Sequence, residues 1–549
     1  MQKICPVTGR TFEVTPEEMA LRKKLGIEGE PEFHPVFRFM QLGAFWQHWN
    51  LFKRSCDRTG KSIISVFSED CPYPVWHKDE WIKHADPPQA EVEVGKPFFP
   101  QMWELFRRCP IPHNVGVNNQ NCEYTDDWWN SKNCYLCHSG VSDEDLRYCY
   151  RAFRVKNCMY GAFSFDSEWC LDLTYSHNCF RVLYSFNCWQ CSDSAFLYDC
   201  RNCQHCFLCS NLRNKQYCIK NKQYNREEYE SMMKEWDLCS NRQYMGAKQE
   251  WESMMHERAW HRSLFIDRSE QSTGNFIDHS KNARNCYFVN DVEDSMNILR
   301  TSETKDTLDC VSPAVNVQLA YYSCTVQDNS YDCKFCYNVI QCKFTEYCAH
   351  CFQCQHCFAC CGVVGKKYCI FNKQYTSEEY EKKKAEFIAS MKATDEYGKF
   401  FPNSFAANPY DESLSGFYWP LDSETAIRFG FRLSNRRQQK PEGALDPSLI
   451  PDSSEAVDPT LSTSVFWDEE AGHSFRIDPA DIKFCTELGA PLPRSYYSRR
   501  MQDNFRLIPF DGSLRPSSCG KCQRETMTSW SVEYDGRVLC EECYLKEVY

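Results

Sequence analysis

The sequence predicts a mainly β protein with two cysteine-rich parallel β-solenoid (β-helix-like) domains, each closed by a capping helix, between two small α+β modules. Three observations lead to this prediction. A cysteine-rich block in the middle of the chain occurs twice, the cysteines inside each copy recur at a regular spacing, and the first and last segments of the chain match each other.

Composition limits the classes of protein that fit this sequence. The chain has 549 residues, 42% of them hydrophobic, so it folds into several domains. Its net charge of -12 argues against a protein whose whole surface binds nucleic acid, although a local basic patch stays possible. No apolar run reaches the roughly 20 residues of a membrane helix, and no apolar signal opens the chain. We therefore expect a cytoplasmic protein without a membrane partner, whose 37 cysteines stay reduced or bind metal.

The central duplication is the clearest repeat. The segment CRNCQHCFLC at 200–209 recurs as CFQCQHCFAC at 351–360, and the match continues through YCIKNKQY at 217–224 and YCIFNKQY at 368–375. Such agreement over a fixed offset indicates two copies of one domain.

Inside each copy, cysteines recur about every nine residues, as at 191, 200, 209 and 218. Many follow an Asn or Asp, as in Asn178-Cys179 and Asp332-Cys333. Asn and Asp tolerate left-handed backbone, while Cys behaves as a small buried hydrophobe. A turn followed by an inward residue is typical of a β-solenoid.

A helix is predicted after each copy. Asn225 with Glu228, and Thr376 with Glu379, have the spacing of a capping box. Each helix would cover the open strand edge of its solenoid.

The two ends of the chain form the second duplication. Gly9 to Gly26 matches Gly472 to Gly489, and the same offset aligns Cys56, Thr59, His77 and Glu80 with Cys519, Cys522, Cys540 and Cys543. Between them, a stretch with Pro, Ser and Asp clusters predicts a linker with little core. The predicted division is a module at 1–90, solenoid copies at 115–236 and 276–390, a helical connector at 237–275, a linker at 391–465 and a zinc-binding module at 466–549.

The strongest chemical signal is the pair of motifs Cys519-x2-Cys522 and Cys540-x2-Cys543. Two such knuckles place four thiolates around one Zn²⁺, which we expect to be structural because no coordination position is left for substrate. The alternative is four free thiols in a small core. In the N-terminal module, Cys56, His77 and Glu80 could ligate zinc, but threonine, present at Thr59, rarely does. Whether this module binds a metal therefore stays open.

The central motif has two interpretations. Its thiols could form metal clusters from Cys200, Cys203, Cys206 and Cys209 with His205, and from Cys351, Cys354, Cys357 and Cys360 with His356. Alternatively, the cysteines line a narrow solenoid interior. We favour the second interpretation, because the cysteine pattern continues beyond these groups of four.

The motifs favour a non-catalytic cytoplasmic scaffold with protein partners and one structural zinc ion. Common nucleotide-binding, hydrolase and metalloprotease signatures do not occur in the sequence. Their absence argues against an enzyme without deciding the question. The alternative is a metal-handling or thiol-redox protein that uses the central cysteines. Nucleic-acid binding through the zinc module is possible but not favoured, because the chain is acidic.

The NCYLC-type repeats, the segment Phe417–Leu421 and the ending Val538–Tyr549 resemble a family of cysteine-rich, uncharacterised proteins of candidate-phyla bacteria. The resemblance covers nearly the whole chain. It implies zinc-ribbon-like or treble-clef-like modules at both ends, with further CxxC knuckles from which this chain departs. It implies no activity. The departures are Thr8, His34, Thr59, His77, Glu80, Asp468 and Ala471.

Overall fold

A computed structural model describes residues 1–47, 50–84, 86–434 and 438–549. The protein is mainly β, as predicted, with 34% of residues in strands and 24% in helices. The described residues divide into two compact units. Unit 1 contains 1–114, 264–434 and 510–514, and unit 2 contains 115–263, 435–509 and 515–549.

The first cysteine-rich copy lies in unit 2 and forms a stack of parallel strands. The parallel strands pair with the chain 12 residues further on, as in Tyr150 with Ala162, Leu171 with Leu183 and Ser192 with Gln204, and the last strand pairs antiparallel. The strands of this copy are Thr125–Trp129, Cys137–Val141, Glu144–Arg147, Tyr150–Phe153, Lys156–Met159, Ala162–Phe165, Leu171–His177, Phe180–Phe186, Ser192–Tyr198, Gln204–Ser210, Gln216–Ile219 and Lys222–Gln223.

Left-handed backbone at every third residue bends this stack. Asn178, Arg181, Tyr184 and Asn187 have φ of 54°, 52°, 34° and 55°. The residue after each of them faces the interior, as Cys179, Val182 and Cys188 do, and is buried. The predicted sequence of a left-handed Asn followed by an inward Cys is therefore confirmed.

The predicted spacing of nine residues is not the structural repeat. Nine and 12 are both multiples of three, so both spacings keep cysteines on the inside. The Sγ of Cys191 donates to the carbonyl of Cys200, nine residues on, whereas strands pair 12 residues apart. Backbone pairing sets the strand repeat, and cysteine spacing does not reveal it.

The second copy forms parallel strands in unit 1. Five of them close into a ring, because the long strand Cys286–Lys305 pairs with both Leu308–Val311 and Ala314–Gln318 and so joins the two ends of the series. The strands are Ile266–Asp267, Gly274–Asp278, Lys281–Arg284, Cys286–Lys305, Leu308–Val311, Ala314–Gln318, Tyr321–Gln327, Tyr331–Lys334, Tyr337–Ile340, Lys343–Glu346, Ala349–Phe352, Gln355–Phe358, Lys367–Ile370 and Lys373–Gln374. The ring is made by Cys286–Lys305, Leu308–Val311, Tyr321–Gln327, Tyr331–Lys334 and Ala314–Gln318.

Both predicted capping boxes are present. Asn225 accepts from the Glu228 N–H at 2.9 Å, and Thr376 accepts from the Glu379 N–H at 3.2 Å. The helices of unit 2 are Arg226–Met233, Asn241–Glu257, Pro479–Leu488, Tyr497–Arg506 and Glu541–Val548. Those of unit 1 are Pro16–Lys24, Pro35–Gly43, Lys78–Lys83, Phe98–Phe106, Ser377–Ala393, Leu414–Tyr418 and Ser423–Arg428.

Each terminal module shares a unit with the copy that is more distant in sequence. In unit 1, buried Arg38 pairs with Glu18 at 2.9 Å and with Asp309 of the second copy. In unit 2, Arg147 of the first copy pairs with Asp481 at 2.5 Å. Short strands complete the modules: Gln2–Ile4, Thr11–Glu13, Phe52–Ser55, Ser62–Ser65, Val75–Trp76 and Ile111–Pro112 in unit 1, and His261–Arg262, Phe466–Asp468, His473–Phe475, Arg515–Ser518, Glu525–Thr528 and Val538–Leu539 in unit 2.

The stretch predicted as a linker contributes buried side chains. Phe401, Tyr410 and Leu414 are at most 2% exposed and belong to unit 1. Its short 3₁₀ turns are Asn403–Phe405, Tyr410–Glu412, Pro447–Leu449 and Pro459–Thr463, and a further turn is Val532–Tyr534. In the part of the chain that the structure describes, no helix has the length and apolar character needed to cross a membrane.

Candidate metal centre

The structure brings Cys519, Cys522, Cys540 and Cys543 together, and their sulfur atoms all lie within 4.8 Å of one another. The first two belong to a tight turn between the strands Arg515–Ser518 and Glu525–Thr528. Cys540 is the N-cap of the helix Glu541–Val548, and Cys543 lies in its first turn.

Backbone hydrogen bonds shape this turn. The Cys519 N–H donates to the Arg524 carbonyl at 2.9 Å, and the Gln523 N–H donates to the Cys519 carbonyl at 3.0 Å. The Gly520 N–H donates to Val538 at 2.9 Å, which ties the turn to the strand before Cys540. These bonds shape the turn that carries the first pair of thiols and hold it beside the strand that leads to the second pair.

The electrostatics favour a thiolate at Cys519. Burial opposes charge there, but backbone N–H groups of Cys522, Cys540 and Lys521 and the Cys522 thiol lower its pKa to about 6. The Cys522 thiol, and then burial, raises the pKa of Cys543 to about 12. Four crowded thiols therefore share protons unevenly, and a cation that replaces the protons would relieve this competition.

The spacing fits a tetrahedral metal. With Zn–S bonds of about 2.3 Å, neighbouring sulfurs of a tetrahedron are about 3.8 Å apart. The Sγ atoms of Cys522 and Cys540 are 3.7 Å apart. Among the residues that the structure describes, this is the one group of three or more Cys, His, Asp or Glu side chains with ligand atoms this close.

A layer of residues from other parts of unit 2 holds the centre. Strand Val538–Leu539 pairs with His261–Arg262, and the Arg262 guanidinium donates to Glu541 at 3.0 Å. Tyr544 accepts from Arg213 at 2.8 Å and donates to Asp199. Sequence analysis missed Asp199, Arg213 and Arg262 because they lie hundreds of positions from the cysteines and carry no motif.

The N-terminal module keeps the backbone of this site without its ligand set. The Cys56 N–H donates to Lys61 at 2.8 Å and the Asp57 N–H to Val75 at 3.0 Å, as at Cys519 and Gly520. His77, however, caps the helix Lys78–Lys83 through Nδ1.

The other two positions of that module have different roles. The Glu80 carboxylate lies 3.4 Å from Arg58 and 3.5 Å from His84, so it takes part in surface ion pairs. The Thr59 hydroxyl accepts from the Lys61 N–H at 3.4 Å. Cys56, Thr59, His77 and Glu80 therefore do not form a metal cluster in this structure.

The central motif separates its cysteines from its histidines. Cys200, Cys203, Cys206 and Cys209 face the interior and are 0% exposed, and so are Cys351, Cys354, Cys357 and Cys360. His205 lies on the outer side, where its ring stacks on Tyr217 at 5.1 Å, and His356 stacks on Tyr368 at 5.0 Å. The structure therefore does not bring these histidines together with the thiols, as the less favoured metal-cluster interpretation would require, and the cysteines line the interior as the favoured interpretation predicts.

No protein-family model and no curated protein matches the chain. Among solved structures, it is similar to the crystal structure of a Desulfovibrio desulfuricans G20 protein that is named as an acetyltransferase. The match has 8% identity and a TM-score of 0.10, and it covers 43% of this chain and 63% of the other. The chain thus spans less than two thirds of that protein, and so low a TM-score carries no argument. The family resemblance stays a prediction.

Proposed function

We propose that the protein is a non-catalytic binding scaffold, built from two β-solenoid bodies and stabilised by one structural Zn²⁺. Cys519, Cys522, Cys540 and Cys543 would hold the ion in a treble-clef-like module. The bound ion would supply folding free energy to a short terminal segment with a small core.

The observation that carries the scaffold proposal is the row of outward side chains made by the 12-residue pairing. Lys132, Glu144 and Lys156 follow one another on successive turns of the chain, with ion pairs of 3.3 and 3.8 Å. Glu168 and Phe180 continue the row, and the Phe180 side chain is 43% exposed. Neighbouring rungs are about 4.8 Å apart, so the row is a regular, extended surface of the kind that solenoids use for binding.

This row favours a protein partner with an extended segment. Alternating charge can pair with complementary charges along a strand, and Phe180 offers apolar area at the end of the charged row. We define Lys132, Glu144, Lys156, Glu168 and Phe180 as the ladder face.

The scaffold proposal is tested with a photo-crosslinking amino acid at Phe180 in the full chain, in extracts of the native organism. We expect one discrete adduct, reduced by the charge reversals Glu144→Lys and Lys156→Glu. The same amino acid at Met245, which is 41% exposed on the helix Asn241–Glu257, is the control. Equal labelling from Phe180 and Met245 would contradict a specific ladder face.

The zinc part has its own test. Elemental analysis of protein purified without added metal should give about one zinc per chain. A chain that folds fully and contains no zinc would contradict this part of the proposal and leave the ladder face to be judged separately.

A further inference from the structure

Solvent reaches very few of the thiols in this cysteine-rich chain. All 37 cysteines lie in the described ranges, and all but four of them are buried. Cys71, Cys122 and Cys543 are half-buried, and Cys522 is the one exposed cysteine of the set. A reagent dissolved in water therefore meets Cys522 first, because the reactivity of a thiol depends on its access to solvent.

Cys522 belongs to the candidate metal centre and not to the cysteine-rich stacks. It lies in the turn between the strands Arg515–Ser518 and Glu525–Thr528. The other members of the centre are less accessible: Cys519 is 0% and Cys540 is 7% exposed, and Cys543 is half-buried. The four thiols are alike as zinc ligands, but they differ in their exposure to a molecule that approaches from solvent.

A second sulfur lies within reach of this exposed thiol. The Sγ atoms of Cys522 and Cys540 are 3.7 Å apart. A disulfide bond is about 2.0 Å long, so the two sulfurs need to approach each other by about 1.7 Å. Cys522 lies in a turn and Cys540 at the start of a helix, so this approach does not require the strands of the module to separate.

The cysteines of the two stacks do not compete with this pair. Those of the central motif are 0% exposed, and their thiols donate to backbone carbonyls, as Cys203 does to Arg201 at 3.3 Å and Cys354 to Phe352 at 3.2 Å. Burial keeps a dissolved oxidant away from them, and a protonated thiol is a poor nucleophile. Thiol chemistry with dissolved reagents is therefore favoured at the metal centre over the central cysteines.

We propose that Cys522 and Cys540 form an oxidation site for small peroxides, and that oxidation of this pair releases the zinc ion. The inference rests on the zinc-binding role proposed above. The Cys522 thiolate attacks one oxygen of hydrogen peroxide, which breaks the O–O bond, forms a sulfenic acid and releases hydroxide. The Cys540 thiolate then attacks the Cys522 sulfur, so that an S–S bond forms, the S–O bond breaks and a second hydroxide leaves.

The electrons and protons of this reaction balance. The two sulfurs supply two electrons, and one peroxide with two protons from solvent becomes two water molecules. The zinc ion keeps its oxidation state. Cys519 and Cys543 remain as thiolates, and two protein ligands do not complete the tetrahedral set that holds Zn²⁺, so the ion leaves.

The disulfide would replace the metal as the link within the module. It joins the turn of Cys522 to the start of the helix Glu541–Val548, which the zinc ion joined before oxidation. A thiol reductant breaks the S–S bond and restores both thiols, so that zinc binds again. The site is therefore reversible, unlike oxidation to a sulfonic acid.

The experiment uses the zinc-loaded full chain, whose metal content is measured beforehand, in the absence of reductant. Hydrogen peroxide is added at about one equivalent, and a colorimetric zinc chelator follows the release against a sample without peroxide. We expect about one zinc ion released per peroxide consumed. Mass spectrometry after alkylation should find Cys522 linked to Cys540, and a dithiol with added zinc should restore the starting metal content.

Variants assign the release to this pair. Cys522→His keeps a possible zinc ligand and has no sulfur to oxidise, so it should release zinc about tenfold more slowly than the wild type. Cys71→Ser removes a half-buried thiol outside the centre and should release zinc at the wild-type rate. Circular dichroism and zinc content before oxidation check that each variant folds. If Cys522→His binds no zinc, the disulfide found in the wild type decides the question.

Two results would overturn the oxidation site. One is a zinc-loaded chain that keeps its zinc after the peroxide is consumed. The other is zinc release with a different disulfide, such as Cys519 with Cys522 or a pair within the stacks. A purified chain that contains no zinc contradicts the structural zinc ion itself, and with it the release step, so the two kinds of failure are distinguishable.

Discussion

The carbonyl oxygen of Gly536 occupies the space that a side chain on Gly520 would need: a Cβ added to Gly520 would lie 2.1 Å from that oxygen. Gly520 follows the first cysteine of the metal centre, and its N–H holds the turn to Val538. The close approach of two backbone segments therefore positions the first pair of thiols against the second.

Gly520→Ala should open this contact, because the Gly536 backbone has no flexible side chain that can move aside. We expect a loss of about 1–3 kcal/mol in the stability of the module and weaker zinc retention against a chelator. Gly246→Ala is the control, since Gly246 lies in the helix Asn241–Glu257 with nothing within 4 Å of an added Cβ. It should gain up to about 1 kcal/mol of helix stability. Zinc retention equal to wild type in Gly520→Ala would contradict the positioning role of this contact.

Cys540→Ser should release zinc and unfold residues 515–549 while the parallel strands stay folded. The reason is that three ligands bind zinc more weakly and the module core around Leu539 and Tyr544 is small. Elemental analysis and hydrogen exchange measure the two effects. Cys239→Ser, a buried thiol outside the centre, should keep its zinc. Stoichiometric zinc in the Cys540 variant would show that the ligand assignment is wrong.

Asp172→Asn should destabilise unit 2 by about 3–5 kcal/mol, because it leaves the buried guanidinium of Arg500 without its charge partner. Asp172 accepts from Arg500 at 3.0 and 2.6 Å and from Asn504 at 3.2 Å. Asp166→Asn removes the exposed pair with Arg154 and should cost about 0–1 kcal/mol. Urea denaturation of both variants gives the comparison, and equal costs would contradict the importance of burial.

Stability should fall below pH 6.5 because of His350. Burial lowers the pKa of this histidine to about 3, and its ring makes edge-on contacts with Phe67 and Tyr337. The unfolded chain binds a proton near pH 6.5 and the folded chain does not until about pH 3. The stability from this group is therefore complete above pH 6.5 and is lost as the pH falls, at about 1.4 kcal/mol per unit.

The measurement is the slope of the unfolding free energy against pH, between pH 6.5 and the onset of acid unfolding. His350→Gln should flatten this slope, whatever it does to stability at neutral pH. His279→Gln, at an exposed position of the same unit, should leave the slope unchanged. Parallel slopes for wild type and His350→Gln would contradict the assignment.

Local features could be predicted from the sequence because each depends on a few neighbouring residues. Asn225 and Thr376 form the expected capping boxes. The two CxxC motifs come together because a turn and a helix start orient each pair within a few residues. The roles of His205 and Cys206 could not be separated in this way, since neighbours in sequence point to opposite sides of the same strand.

The sequence by itself determined that an Asn or Asp before a cysteine has left-handed backbone, that the cysteine after it faces inward and which four thiols meet. These depend on residue type and on spacings of three. Only the tertiary structure decided the 12-residue pairing and the association of each terminal module with the more distant copy, as in the pairs of Arg38 with Asp309 and Arg147 with Asp481. Backbone pairing and buried ion pairs between residues hundreds of positions apart leave no periodic signal, so the sequence is compatible with several arrangements and packing selects one.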